Sequence, residues 1–190
     1  MTVTGAGHET AGSLRRQLLD YRLHWPEEAA LAEDFLALLG DMRDPFSRGR
    51  LAGHFTGSSW LVSRDGKRTL LTHHRKLRRW LQLGGHADDE RDLARVALKE
   101  AEEESGLPGL TLGGTAIFDL DRHWIPEHGQ IPGHWHYDVR YVVRAGTQEV
   151  FAVSEESLAL AWRPVVELLN TPEWDPSLQR MARKWLRQAM

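Results

Sequence analysis

Apolar residues recur every three to four positions near both ends of the chain and alternate more tightly between them. Leu14, Leu18, Leu19 and Leu23 can line one helix. Pro26 suits the first turn of a second, lined by Ala30, Leu31, Phe35, Leu38 and Leu39. Residues 11–45 therefore read as an N-terminal helical extension, used for packing or as a homodimer surface. Residues 1–10 lack periodic apolar positions and are expected to form a mobile tail. The remaining segment, residues 46–190, reads as one domain. Its predicted strands cover 54–62, 69–72, 80–85, 111–120, 137–144 and 158–162, and Asp65-Gly66 makes a hairpin turn between the first two. Pro164 fits the first turn of a helix running through Leu169. Leu178, Met181, Ala182, Trp185 and Leu186 line a final one over 177–188.

One further helix, predicted at 91–105, carries chemistry. Leu93, Ala94, Ala97, Leu98 and Ala101 form a stripe whose small side chains allow close approach to a sheet, and Gly106 is placed to stop the helix. Glu100, Glu103 and Glu104 line one edge of that stripe. At about 100° per residue they share roughly a third of the helix circumference. Like charges at this spacing repel, so the trio asks for a cation, and carboxylate oxygens suit a hard divalent ion. An isolated E-x-x-E-E is more often a solvated helix face.

The glycine context changes those odds. Gly85, Glu100, Ala101, Glu103, Glu104, Gly106 and Leu107 fall in register with the Nudix box, so the chain resembles the Nudix hydrolase superfamily (MutT-like), in a subgroup of unassigned substrate. The resemblance covers the box closely and residues 50–170 loosely. It implies an α/β fold, the Nudix α/β/α sandwich with a mixed central sheet. It also implies metal ligation by Glu100, Glu103, Glu104 and the Gly85 carbonyl, with Mg²⁺ as the ion and Mn²⁺ as its substitute. Two positions depart from the box. Arg91 stands where the family has Glu and Lys99 where it has Arg, two residues that in the family brace the loop against the helix. Glu90, Asp88 and Asp92 are the candidates to replace that brace.

Composition narrows the function further. A formal charge of −3, without a basic block or an aromatic-interleaved positive stripe, argues against a nucleic-acid groove. The sequence contains 0 cysteines, which excludes disulfides, thiolate ligands and the cysteine used by the isoprenoid isomerases that share the Nudix fold. No apolar run approaches the roughly 20 residues needed to cross a bilayer, and the expectation is a soluble cytoplasmic protein without a membrane partner.

Outside the box, Arg75, Lys76 and Arg78 precede it in a basic segment suited to substrate phosphates, or to a solvated loop. His134, His136 and Asp138 alternate on one prospective strand face, and Asp119, Asp121 and His123 repeat that alternation. Such sets can bind a transition metal, meet a substrate diphosphate, supply a base, or form a buried hydrogen-bond network. Trp124, Trp135 and Tyr137 are candidates to stack on a base.

The resemblance implies hydrolysis of a nucleoside diphosphate linked to another moiety, by water attack at phosphorus. The general base is Glu103 or Glu104 of the box, or Glu127 in the 126–130 loop. A Nudix-fold sensor that binds a nucleotide metabolite without cleaving it is the alternative.

Overall fold

The computed structural model describes residues 5–155, 157–171 and 173–188, with side chains from Leu14 onward. Its centre is a mixed sheet. Strand β1 (Gly53–Val62) runs parallel to β7 (His134–Arg144) in unbroken register, from Gly53 opposite Trp135 to Val62 opposite Arg144. On its other side β1 pairs antiparallel with β4 (Leu83–His86) from Thr56 to Ser59 and with β2 (Arg68–His74) at Val62 and Thr69. β3 (Trp80–Leu81) and β8 (Ser157–Pro164) flank β2, whereas β5 (Thr111–Leu112) and β6 (Asp119–Ile125) pair with β7.

Helices cover both faces. One face carries α1 (Gly5–His24), α2 (Ala29–Leu39) and α3 (Leu93–Ser105), with Leu18, Phe35, Ala97 and Ala101 packed against sheet residues that include Phe55 and Leu61. The other carries α4 (Val165–Asn170) and α5 (Pro176–Gln188), where Leu168, Leu178 and Met181 meet Trp60, Val62 and Phe118. This is an α/β/α sandwich.

α3 owes its placement to identifiable residues. Asp92 caps its N-terminus by accepting the Arg95 N–H at 3.2 Å, and Gly106, at φ 64°, takes the left-handed position that ends it. Gly57 on β1 lets the helix sit close, since a Cβ there would lie 2.9 Å from the Leu93 carbonyl oxygen.

Several expectations need adjustment. α1 begins at Gly5, so residues 5–10 of the expected tail are helical, and residues 1–4 lie outside the described residues. The α1–α2 hairpin packs into the main core, which is one of the two uses expected of it. Lys184 of α5 donates to Tyr21 Oη at 2.6 Å and to Glu28 at 2.9 Å, tying the two ends of the chain together. The single strand expected over 111–120 is two, separated by residues 113–118, which begin with Gly113 and Gly114. A Cβ at Gly113 would meet the Val142 side chain at 2.7 Å. Pro164 ends β8, and α4 starts one residue later.

Candidate active site and an adjoining histidine group

β4 presents Gly84 and Gly85 to α3. Glu104 is buried and its Oε1 accepts the Gly84 N–H at 2.8 Å. Glu100 lies directly against Gly85, where a Cβ would come within 2.5 Å of Glu100 Oε2. Glu103 faces solvent and pairs with Lys99 at 3.3 Å. Three carboxylates therefore line one end of α3, two of them fitted against a glycine backbone that leaves no room for side chains.

The box loop is braced by a different set of residues from the family pattern. Glu90 Oε1 accepts the N–H groups of Arg91 and Asp92 at 2.9 and 3.0 Å, and its Oε2 pairs with Arg95 at 2.6 Å. Arg91 turns away to Asp44 at 2.8 Å and lies over the Phe46 ring. Arg48 grips both oxygens of Asp88. Asp88 and Asp89 hold positive φ of 48° and 69°, a conformation costly for non-glycine residues and common where a loop is fixed for function.

The other proposed contact residues are placed unevenly. Arg75 sits in the β2–β3 turn, where its guanidinium donates to the carbonyls of Glu155 and Ser157 at 2.8 and 3.1 Å. Lys76 and Arg78 are exposed in the same turn, Arg78 at φ 55°. Glu127 is exposed between β6 and β7, beyond the strand ends and away from the register of Gly84 and Gly85. Trp124 and Trp135 pack edge to face with each other, and Arg122 lies over Trp135.

The model of the NUDIX domain matches residues 54–185. The chain belongs to the Nudix family. A NUDIX-family hydrolase from Clostridium perfringens is 27% identical, with a TM-score of 0.53 over 72% of this chain and 98% of that one. The Nudix fold is also shared with an Ap4A hydrolase from C. elegans, at 14% identity and TM-score 0.53 over 71% and 96% of the two chains. The NUDIX domain of Shewanella oneidensis NrtR, solved with ADP ribose, gives 17% identity and TM-score 0.51 over 83% and 98%. No curated protein matches the chain. No helix among the described residues is long and apolar enough to cross a membrane.

The expected alternation of His134, His136 and Asp138 holds within this Nudix sheet, and register adds partners that sequence reading missed. His136 lies opposite both His54 of β1 and His123 of β6, and Asp138 opposite Thr56 and Asp121. His86, the residue after Gly85, points to this same face because neighbouring strand residues alternate sides. Its ring centroid stands 5.3 Å from His54 and 5.0 Å from His136. A polar H-x-T-x-S alternation at His54, Thr56 and Ser58 was the available signal for the β1 part.

Asp138 has a structural part. It is buried and accepts from Thr56 Oγ1 at 2.9 Å, Ser58 Oγ at 2.7 Å, Gln82 Nε2 at 3.1 Å and Arg140 Nε at 2.7 Å. Beside it, buried Asp119 accepts from Arg140 at 3.1 Å, Arg180 at 2.8 Å and Lys184 at 2.7 Å. These are the hydrogen-bonded pairs that buried charge requires. The histidines differ. Burial, reinforced by Arg48, lowers the pKa of His86 to about 4, and burial likewise depresses those of His54 and His136, keeping all three imidazoles neutral near pH 7.

Proposed function

We propose that the chain is a divalent-metal-dependent hydrolase that splits the diphosphate of a nucleoside diphosphate linked to another moiety. The observation that carries this reading is the fit of Glu100 and Glu104 against Gly85 and Gly84, which fixes two carboxylates of the box. The donors are all oxygen, the set that Mg²⁺ or Mn²⁺ prefers. Glu100, Glu103 and Glu104, with the Gly85 carbonyl, would hold the ion. When bound, it would mask phosphate charge and make an attacking water more acidic.

The chain's own residues supply the rest. The Gly84 N–H donates to one oxygen of Glu104 and so orients that carboxylate. Glu103, on the solvent side of α3, would take the proton of the attacking water, with Glu104 as its substitute. Glu127 is the more distant candidate for the same role. Lys76 and Arg78, two of the exposed cations of the basic turn, would meet the substrate's phosphates, whereas Arg75 shapes that turn through its contacts with Glu155 and Ser157. The rebuilt brace at Glu90 and Arg95 weakens the sensor reading, whose sequence support was the loss of the family's own ion pair.

The test is phosphate-bond cleavage with Mg²⁺ or Mn²⁺, read as the two phosphorylated products, across ADP-ribose, Ap4A, nucleotide sugars, coenzyme A and nucleoside triphosphates, alongside a Glu103→Gln, Glu104→Gln double variant. Cleavage of one compound class that disappears in the folded variant is the expected result. Tight nucleotide binding without cleavage of any compound would replace the hydrolase by the sensor.

A further inference from the structure

We propose that His54, His86 and His136 form a binding site for one transition-metal ion of the Zn²⁺ class, separate from the acidic site, with one coordination position open to solvent. Their candidate ligand atoms all lie within 4.8 Å of one another. Around one ion with Zn–N bonds of about 2.0–2.1 Å, tetrahedral ligands stand about 3.4 Å apart, so side-chain adjustments of roughly 1 Å complete the site.

The polar bookkeeping of the imidazoles points the same way. His54 is 2% exposed, and its Nδ1 lies 3.3 Å from the Arg50 carbonyl oxygen. A carbonyl only accepts, so Nδ1 carries the proton and Nε2 the lone pair. That Nε2 is buried without a hydrogen-bond partner. An unpaired buried acceptor is costly, and a ring oriented by an Nδ1–H to carbonyl bond is the usual posture of a metal-bound histidine.

His134 extends the argument to His136. Its Nδ1 lies 2.9 Å from the Pro132 carbonyl oxygen, so its Nε2 is an acceptor. His136 Nε2 stands 3.2 Å from that atom and donates to it, which leaves the His136 Nδ1 lone pair for a metal. His134 itself lies nearly parallel to His54, with ring centroids 5.0 Å apart, so it orients His136 without converging on the ion. His86 and His136 are half-buried and give the site its opening. Arg48, the cation that acts on His86, has its charge taken up by Asp88.

Chemistry separates this site from the box. Imidazole nitrogens suit Zn²⁺ and its neighbours, whereas Mg²⁺ prefers oxygen. Three strands hold the three rings, and a rigid scaffold is what a preformed ligand set needs.

The experiment uses the untagged chain, stripped with a chelator and dialysed against Zn²⁺ or Co²⁺. One Zn²⁺ per chain should be retained, and the Co²⁺ form should show the visible absorption of a nitrogen-ligated, low-coordinate ion. Both should persist in a Glu100→Gln, Glu104→Gln double variant. His86→Gln and His136→Gln should weaken binding by at least about 100-fold, since losing even an outer partner of a ligand costs 10–100-fold. Less than one equivalent in the wild-type chain would overturn the site, as would ion binding lost with the glutamates and kept without the histidines. Should a histidine variant unfold, the Co²⁺ spectrum and stoichiometry of the wild-type chain still decide. Mg²⁺-dependent hydrolysis is a separate readout, so either proposal can fail alone.

Discussion

Gly85 and His86 are adjacent in β4 yet belong to two different chemical environments. Gly85 faces α3, where Glu100 fills the space a Cβ would take, and oxygen donors line a helix. His86 faces the opposite side, where imidazoles from three strands gather beside a buried ion network. The helix site gains its shape from backbone: two glycines and one N–H bond to Glu104. The strand site gains its shape from register, which sets His54, His86 and His136 on one face. A one-residue slip of β4 would exchange the two environments, so both depend on the same pairing with β1.

The largest effect should come from the acidic side. Glu104→Gln is expected to lower turnover by about 10²–10⁴-fold, the usual range for a lost acid–base or ligating carboxylate, with little change in melting temperature. Steady-state kinetics with a thermal melt checks both halves. Near-normal turnover would remove Glu104 from the mechanism.

On the histidine side the corresponding break is in stability. Arg140 is fully buried between Asp119 and Asp138, so Arg140→Met leaves carboxylates uncompensated. Chemical denaturation should show a loss of about 3–5 kcal/mol. A smaller loss would mean that Arg180 and Lys184 suffice for Asp119.

Gly85→Ala tests the dividing position itself. The atoms it would crowd are at the far end of the Glu100 side chain and not in the backbone, so the fold should hold while the carboxylate is pushed aside. Turnover is expected to fall by about 10²-fold, as misplacement by an ångström can do, and Zn²⁺ uptake should remain. If uptake falls with turnover, the two sites are not separable.

The smallest effect is a pH dependence. Asp121 is held well below the ordinary carboxylate range, against the opposing effect of burial, by Arg140 and by hydrogen bonds from His123 and Arg180. A carboxylate depressed in the folded state stabilises it above the unfolded-state pKa, and that stability is lost as pH falls through the native value. The stability gap between the wild-type chain and Asp121→Asn should therefore be full at pH 6 and shrink below about pH 4. An unchanged gap at pH 3 would remove the linkage.

What the sequence disclosed follows the same division. α3, its glycine stop and its acids were legible because they are local, written in 3.6-residue spacing and a contiguous motif. The brace at Glu90 was legible only as one of three acids, since choosing among them required knowing where Arg95 points. β6 was missed as a strand beyond Leu120 because Asp119, Asp121 and His123 are polar on a face that is usually apolar. They are tolerated there because Arg140, Arg180 and Lys184 come from distant parts of the chain. His54 gave only a polar alternation with Thr56 and Ser58, for its partners lie in β4 and β7, and only register brings them together.

The long parallel seam between β1 and β7 also sets an order of events during synthesis. Thr56 and Asp138, which face each other across it, are 82 residues apart in sequence, and such non-local pairing forms late. The glutamates and glycines of the box emerge together in one short stretch, whereas the histidine group must wait for β7 to leave the ribosome and dock. A growing chain thus has all its acidic ligands in one emerged segment early, and brings its imidazoles together only when the domain is nearly whole.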